Sequence, residues 1–201
     1  GVDGIYYDFL TFNVNDCHNE AHGHPIGGGD YWSKGVHGFY ELMRTECRKL
    51  SDDCMFTGEG LAEFCIDVLD TFLVGGQSNR TPLFLAVYHG YTNIYGGEID
   101  HVTDPPLVGR GWLWGRQNGW NNREYSITGT PMGDYYKKLL HCRWEFANPY
   151  LGYGEMLRPP RVEGDLPEIT VVGDRGPFTV PAVEGSAWKA PDGTIGIFLL
   201  N

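Results

Sequence analysis

The sequence predicts an α/β fold giving way to an antiparallel β-sandwich, and three observations carry that prediction. Short β-rich runs alternate with amphipathic helical runs through most of the chain. The β-rich runs close on acids or other polar residues, and from about residue 160 only Pro- and Gly-punctuated β segments follow. The style changes near Arg158-Pro159-Pro160, which divides the 201 residues into 1–158 and 159–201.

Val2-Asp3-Gly4-Ile5-Tyr6-Tyr7-Asp8 reads as a strand buried on both faces that ends in an acid. Residues 9–32, rich in Gly, Asn and His, form a loop longer than an ordinary βα connection, and such loops inside compact domains tend to be functional. Val36, Phe39, Tyr40, Met43, Cys47 and Leu50 then recur at helical spacing, so 34–50 is an amphipathic helix with Ser33 as its N-cap. Cys54-Met55-Phe56-Thr57 is a second strand, and Gly58-Glu59-Gly60 again sets an acid at its end. Leu61, Phe64, Cys65, Val68 and Leu69 give a short helix, and 70–74 a third strand. A polar turn over 75–80 leads to the apolar run 82–89, read as a strand closing on Tyr88 and His89. Residues 111–115 fit either a strand or a helical turn. Asp134 opens a helix with Tyr135, Leu139, Cys142 and Phe146 on one face, which Asn148-Pro149 ends. The sandwich strands are 167–172, 177–183 and 194–200.

This inventory gives four or five strands before residue 131, where a closed parallel barrel needs eight. It gives three after residue 160, where an ordinary sandwich has about seven. The expectation is a piece from the middle of a longer enzyme, with the N-terminal half of a barrel missing, or else a homo-oligomer in which another copy completes the sheet.

A net charge of −11 and a pI near 4.9, with no Lys/Arg run, argue against nucleic acid and anionic membranes as partners. No apolar run reaches the length of a membrane span, and no signal-peptide pattern is present. Five cysteines without a CxxC pair read as buried thiols, which favours a reducing or anaerobic environment, whether cytoplasmic or secreted. Asn79-Arg80-Thr81 is a sequon by letter. Aromatic richness, at 14%, fits a site that stacks on sugar rings, although a core uses the same residues.

Asp8 and Glu59 stand 51 positions apart, each at the carboxyl end of a buried strand with one helix between them. In a parallel barrel both carboxylates then share the rim where active sites are built. Two carboxylates on one pocket is what glycoside hydrolysis requires, one acting at the anomeric centre and the other giving a proton to the leaving oxygen. The alternative is that each acid caps the helix that follows. Glu63, four residues after Glu59, is the substitute acid, and Asp67, Asp70 and Glu98 are lesser candidates. The loop Cys17-His18-Asn19-Glu20-Ala21-His22-Gly23-His24 holds zinc-ligand types, but no second ligand pair follows. His22 and His24 therefore read as pocket residues holding sugar hydroxyls, with no metal and no cofactor assigned. Tyr88 and His89 would line the same pocket, and Trp112, Trp114 and Trp120 are either a sugar platform or a core cluster. No GxSxG elbow supports serine hydrolysis.

The segments GVDGIYYDF, HGHPIGGGDYW, FTGEGLAEFCIDVLD, FLAVYHGYT and RWEFANPYLGYGEMLRPP together resemble a family of glycoside-hydrolase-like proteins of environmental and gut bacteria, over nearly the whole chain. That resemblance implies the second half of a TIM barrel followed by the β-sandwich of related α-galactosidases and α-amylases, and SAWKAPDGTIGIFLLN is similar to those sandwich strands. It implies Asp8 as nucleophile at the end of the fourth barrel strand and Glu59 as acid/base at the end of the fifth. An α-galactosidase-like arrangement points to Asp70 on the sixth instead. The expected function is a retaining glycosidase acting on an oligo- or polysaccharide. The alternatives are a non-catalytic carbohydrate-binding or structural piece and, third, a metal-dependent hydrolase using Cys17, His22 and His24.

Overall fold

The computed structural model describes residues 2–74, 82–97, 104–119, 127–173 and 176–201, and the chain forms two compact units, Gly1–Leu73 and Val74–Asn201. The polar turn at 75–80, the sequon at Asn79, Glu98 and Trp120 lie outside the described residues.

In the first unit β1 (Gly4–Tyr7) pairs in parallel with β2 (Met55–Glu59), Tyr7 opposite Gly58, and β2 pairs in parallel with β3 (Thr71–Val74), Thr57 opposite Thr71. Phe56, Thr57 and Gly58 are all buried, as a central parallel strand covered on both faces demands. Helix α1 (Tyr31–Arg48) supplies one cover: Val36 and Tyr40 are buried, and the rings of Phe39 and Tyr40 meet Tyr7 at 5.6 and 4.9 Å, both edge-on. The helix starts three residues earlier than Ser33 suggested. Asp30 is its N-cap, salt-bridged to Lys34, and the Ser33 hydroxyl donates back to the Asp30 carbonyl from inside the first turn. Gly58 lets the loop and the turn before β3 pack close, since a Cβ there would lie 2.8 Å from Leu69 Cδ1 and 3.0 Å from Thr11 Cγ2 and would make those side chains shift.

The short helix expected over 61–69 shrinks to one 3-10 turn, Glu63–Cys65. Gly60 is left-handed at φ 82° and Ala62 is extended. Cys65, Val68 and Leu69 are buried all the same.

In the second unit the run 82–89 is helix α2 (Leu83–Tyr88), not the expected strand. Leu85 and His89, four residues apart, are buried while Leu83 and Val87 are exposed, which is helical periodicity. A short apolar run does not by itself distinguish the two states. Next come β4 (Asn93–Gly96), α3 (Pro105–Leu113) and β5 (Gln117–Asn118), β4 and β5 being parallel. The Val74 carbonyl at the end of β3 accepts from Gly97 N. Residues 111–113 finish α3, which settles that segment as helical.

Helix α4 (Pro131–Cys142) does not stop at Asn148-Pro149. It passes through a π-helical turn, Arg143–Ala147, into α5 (Asn148–Leu151), which carries Pro149 at its second position. The wide turn brings Arg143 and Ala147 inward.

The C-terminal strands form two antiparallel sheets. One has the order β10 (Ile195–Leu200), β9 (Glu184–Lys189), β6 (Glu155–Leu157), and the other is the hairpin of β7 (Glu168–Gly173) and β8 (Gly176–Pro181). Strand β9 was missed in the sequence because only Ala182 and Val183 separate it from β8. Its Trp188 is fully buried among Trp112, Leu113, Leu139, Leu151 and Phe198. The architecture is thus mixed α/β, and among the described residues no closed barrel is formed. All five cysteines are free thiols, Cys54 and Cys65 buried, and burial pushes the Cys65 thiol up to about 12. Among the described residues no helix is long and apolar enough to cross a membrane.

Candidate active site

The parallel register decides which acids meet. With Tyr7 opposite Gly58, Asp8 follows directly on β1 at the level of Glu59, the last residue of β2, so the two acids stand at the same ends of neighbouring strands. Asp8 is exposed and Glu59 half-buried. The Tyr6 hydroxyl donates to Asp8 Oδ1 at 3.2 Å, and the Phe9 amide donates to Glu59 Oε2 at 3.3 Å. Burial, then the nearby Asp8 carboxylate, raises the Glu59 pKa above the ordinary carboxyl value, against the smaller opposing pull of the Phe9 amide and the Tyr6 hydroxyl. Tyr6 is driven well above the usual phenol value by burial and by both carboxylates, so it stays a hydrogen donor.

Two backbone features shape this edge. Phe9 is left-handed at φ 60°, alone among the described non-glycine residues, a conformation that costs about 1–3 kcal/mol and clusters at functional sites. It turns the chain so that the Phe9 N–H faces Glu59 and the Phe9 ring meets Phe12 at 5.4 Å, both rings about half exposed. Gly60, at φ 82°, leaves the space Phe12 occupies; a Cβ there would come within 2.5 Å of the ring. Thr11 ties the two segments by donating to the Gly60 carbonyl at 3.2 Å.

The long loop is built rather than loose. Gly27 N donates to the Cys17 carbonyl at 2.8 Å, and the Tyr31 hydroxyl, donating to the Asn15 carbonyl at 2.9 Å, accepts from Cys17 N. An open cleft of about 610 Å³ is lined by Asn15, Cys17, His22, His24, Tyr31 and Trp32 among others. A second, apolar hollow of about 370 Å³ lies along Leu10, Tyr31, Trp32, Val36 and Phe39. The Trp32 indole N–H is buried and has no hydrogen-bond partner among the described residues. Ligand atoms of Cys17, His22 and His24 lie within 4.8 Å of one another, which makes them the described residues able to hold a metal ion.

The remaining candidates are placed otherwise. Glu63 is exposed on the 3-10 turn, so it is not one helical turn beyond Glu59 as its spacing suggested. Asp70 precedes β3, at the strand end opposite to Glu59, and both its oxygens are engaged: Oδ1 accepts from Arg44 at 2.9 Å and Oδ2 from Phe56 N at 2.8 Å. Asp70 therefore stands away from the strand ends that carry Asp8 and Glu59. Asp67 pairs with His37 at 3.0 Å.

Tyr88, His89 and Trp114 belong to the second unit. Tyr88 ends α2, its ring 4.8 Å from Phe84. His89 is buried, with Nδ1 3.0 Å from the Gly154 carbonyl, Nε2 3.0 Å from the Leu151 carbonyl and its ring against Trp188. Trp114 packs on the core cluster beneath the Arg110 guanidinium, 4.8 Å away, and Trp112 is buried with its indole donating to the Leu139 carbonyl. The strand that would have carried Tyr88 and His89 to a rim is a helix, and these tryptophans form a core cluster instead of a platform. Tyr6, Phe9 and Phe12 were not singled out in the sequence. The signal for Tyr6 was there, because Tyr6 and Asp8 are two apart on one strand and so share a face.

Residues 1–99 match a family described as a domain of unknown function (DUF6259), a stretch that holds Asp8, Glu59 and the long loop. Over 185 residues the chain is 33% identical to a Bacteroides thetaiotaomicron protein named "Putative glycoside hydrolase", an alignment covering 83% of this chain and 26% of that protein. The chain spans about a quarter of the length of that relative. With two acids gathered at neighbouring strand ends, these similarities support a glycoside-hydrolase-like relationship for the chain.

Proposed function

We propose that the protein is a retaining glycoside hydrolase in which Asp8 is the nucleophile and Glu59 the general acid/base. The observation that supports this most is the raised pKa of Glu59 beside Asp8 at the ends of two parallel strands, with Tyr6 donating to Asp8. A proton-holding carboxyl next to one held ready to attack is the division of labour the reaction needs. Asp8 attacks the anomeric carbon as the glycosidic C–O bond breaks, and Glu59 gives its proton to the departing oxygen. The sugar is then esterified to Asp8. Glu59, now a carboxylate, takes a proton from water, the hydroxide oxygen bonds to the anomeric carbon, and Asp8 leaves unchanged. In this reading Tyr6 steadies the Asp8 charge, and the exposed faces of Phe9 and Phe12 stack on a sugar of an oligo- or polysaccharide. In this reading β1 is the fourth strand of a (β/α)8 barrel, and the antiparallel sheets built from β6 to β10 begin the β-sandwich that follows it.

Hydrolysis of aryl glycosides tests the assignment. Asp8→Asn abolishes turnover while sugar binding persists. Glu59→Gln slows substrates with poor leaving groups by about 10²–10⁴-fold and activated ones far less. Full activity in Asp8→Asn would end the reading in favour of a carbohydrate-binding role.

A further inference from the structure

We propose that Cys17, His22 and His24 form a zinc-binding site with an open fourth position. Their ligand atoms already lie within 4.8 Å of one another, and His22 Nδ1 is 3.2 Å from the Cys17 sulfur. Thiolate and imidazole are the ligands zinc prefers, and three protein ligands with one position left for water is the pattern of an accessible zinc ion. The sulfur and the His24 ring are partly buried and His22 is exposed, which leaves one side of the cluster open to the loop cleft.

Each ligand is held by something other than the cluster itself. Cys17 is fixed on both sides of its backbone, its N–H by the Tyr31 hydroxyl and its carbonyl by Gly27 N, in an isolated antiparallel bridge. His22 ends a 3-10 turn, Glu20–His22, capped in front by the Asn19 side chain, which accepts from Ala21 N at 2.9 Å, and behind by left-handed Gly23. His24 stacks flat on Tyr31, ring centroids 4.0 Å apart, with Nδ1 2.7 Å from the Pro25 carbonyl. A carbonyl only accepts, so the His24 proton sits on Nδ1 and the Nε2 lone pair is free. That is the second-shell arrangement typical of a metal-ligating histidine.

The proton accounting is simple. Zinc binding releases the Cys17 thiol proton to solvent, and zinc takes the place between the sulfur and His22 Nδ1. The His22 ring proton moves to Nε2, which faces the Asn19 amide nitrogen at 3.0 Å in the metal-free structure. Asn19 is therefore the side chain that has to turn when metal enters, giving up the Ala21 N–H that it caps in the metal-free structure.

Chelator-stripped protein dialysed against zinc alone should take up one zinc per chain, and cobalt alone should give a thiolate-to-metal charge-transfer band. Cys17→Ser should remove that band, and Cys17→Ser and His24→Gln should each weaken zinc binding at least tenfold. Cys142→Ser and Asp8→Asn should leave both readouts unchanged, which separates this site from the proposed glycosidase chemistry. Circular dichroism of each variant identifies any that fails to fold, and His22→Gln then replaces it. Failure of the parent protein to bind zinc, a cobalt spectrum lacking the thiolate band, or unaltered affinity in the folded Cys17 and His24 variants would overturn the proposal.

Discussion

Burial pushes both His89 in the second unit and Glu59 in the first toward their neutral forms, yet their partners differ in kind. His89 has its pKa lowered by desolvation, with the Arg143 charge adding to that, and both its nitrogens face main-chain carbonyls. Arg143 beside it is held at about 10 by burial and donates to the Arg116, Gly115 and Leu151 carbonyls. Glu59 faces instead a second carboxylate, a phenol and one amide, on an edge open to water. Polar groups answered by backbone close off a core. Polar groups answered by other titratable side chains keep a proton that can be moved. The contrast separates structure from chemistry among residues that look equally suggestive in the sequence.

The largest effect should come from breaking the first unit's edge. Asp8→Asn is expected to abolish turnover, and Glu59→Gln to lower it by about 10²–10⁴-fold on substrates with poor leaving groups, both without loss of fold. Because the folded Glu59 pKa lies above its unfolded value, its favourable contribution is present below the ordinary carboxyl pKa and is lost as pH rises through the folded value. Glu59→Gln should then raise the thermal midpoint at neutral pH and not at low pH. Unchanged turnover with lowered stability would make these acids as structural as His89.

Next in size is Arg143→Met, which removes the guanidinium donor from the Arg116, Gly115 and Leu151 carbonyls, the last of which keeps His89 beside it, and should cost about 3 kcal/mol in urea unfolding. His89→Gln should cost less, about 1–2 kcal/mol. Its signature is in the pH dependence. With a folded pKa below the unfolded one, neutral His89 contributes stability that is fully present above about pH 6.5 and is lost as pH falls through the folded value. The variant should flatten that acid limb, which a melting series across pH would show. The smallest effect is Phe9→Gly. Relief of the left-handed backbone should stabilise by up to about 1 kcal/mol at the expense of kcat/KM, whereas a loss of stability would show that ring packing outweighs the strain.

Much of the first unit was legible. The strands ending in Asp8 and Glu59 and the helix between them follow from short β-rich runs and one clear 3.6-residue period, signals carried locally. The second unit was harder to read. Residues 82–89 are apolar at nearly every position, so no period shows, and helix α2 is selected by which side finds a core, Leu85 and His89. His89, Trp112 and Trp114 looked like site residues because their types are shared by sites and cores. The polar contacts of His89 with the Gly154 and Leu151 carbonyls and of Trp112 with the Leu139 carbonyl span 65, 62 and 27 positions, beyond any local pattern.

Residue chemistry alone is enough to place most of the alternation of strand and helix, the acidic charge, the two acids closing successive strands and the ligand types crowded into one loop. These rest on side-chain chemistry and near-neighbour spacing. Tertiary structure decided the rest. Parallel register set Asp8 level with Glu59 and sent Asp70 to the other strand end. The left-handed Phe9 aimed its amide at Glu59, and the Gly27 and Tyr31 hydrogen bonds folded the loop until Cys17, His22 and His24 met. Distances between groups remote in sequence depend on how backbone hydrogen bonds and buried side chains are satisfied together, and no local stretch of the chain specifies that.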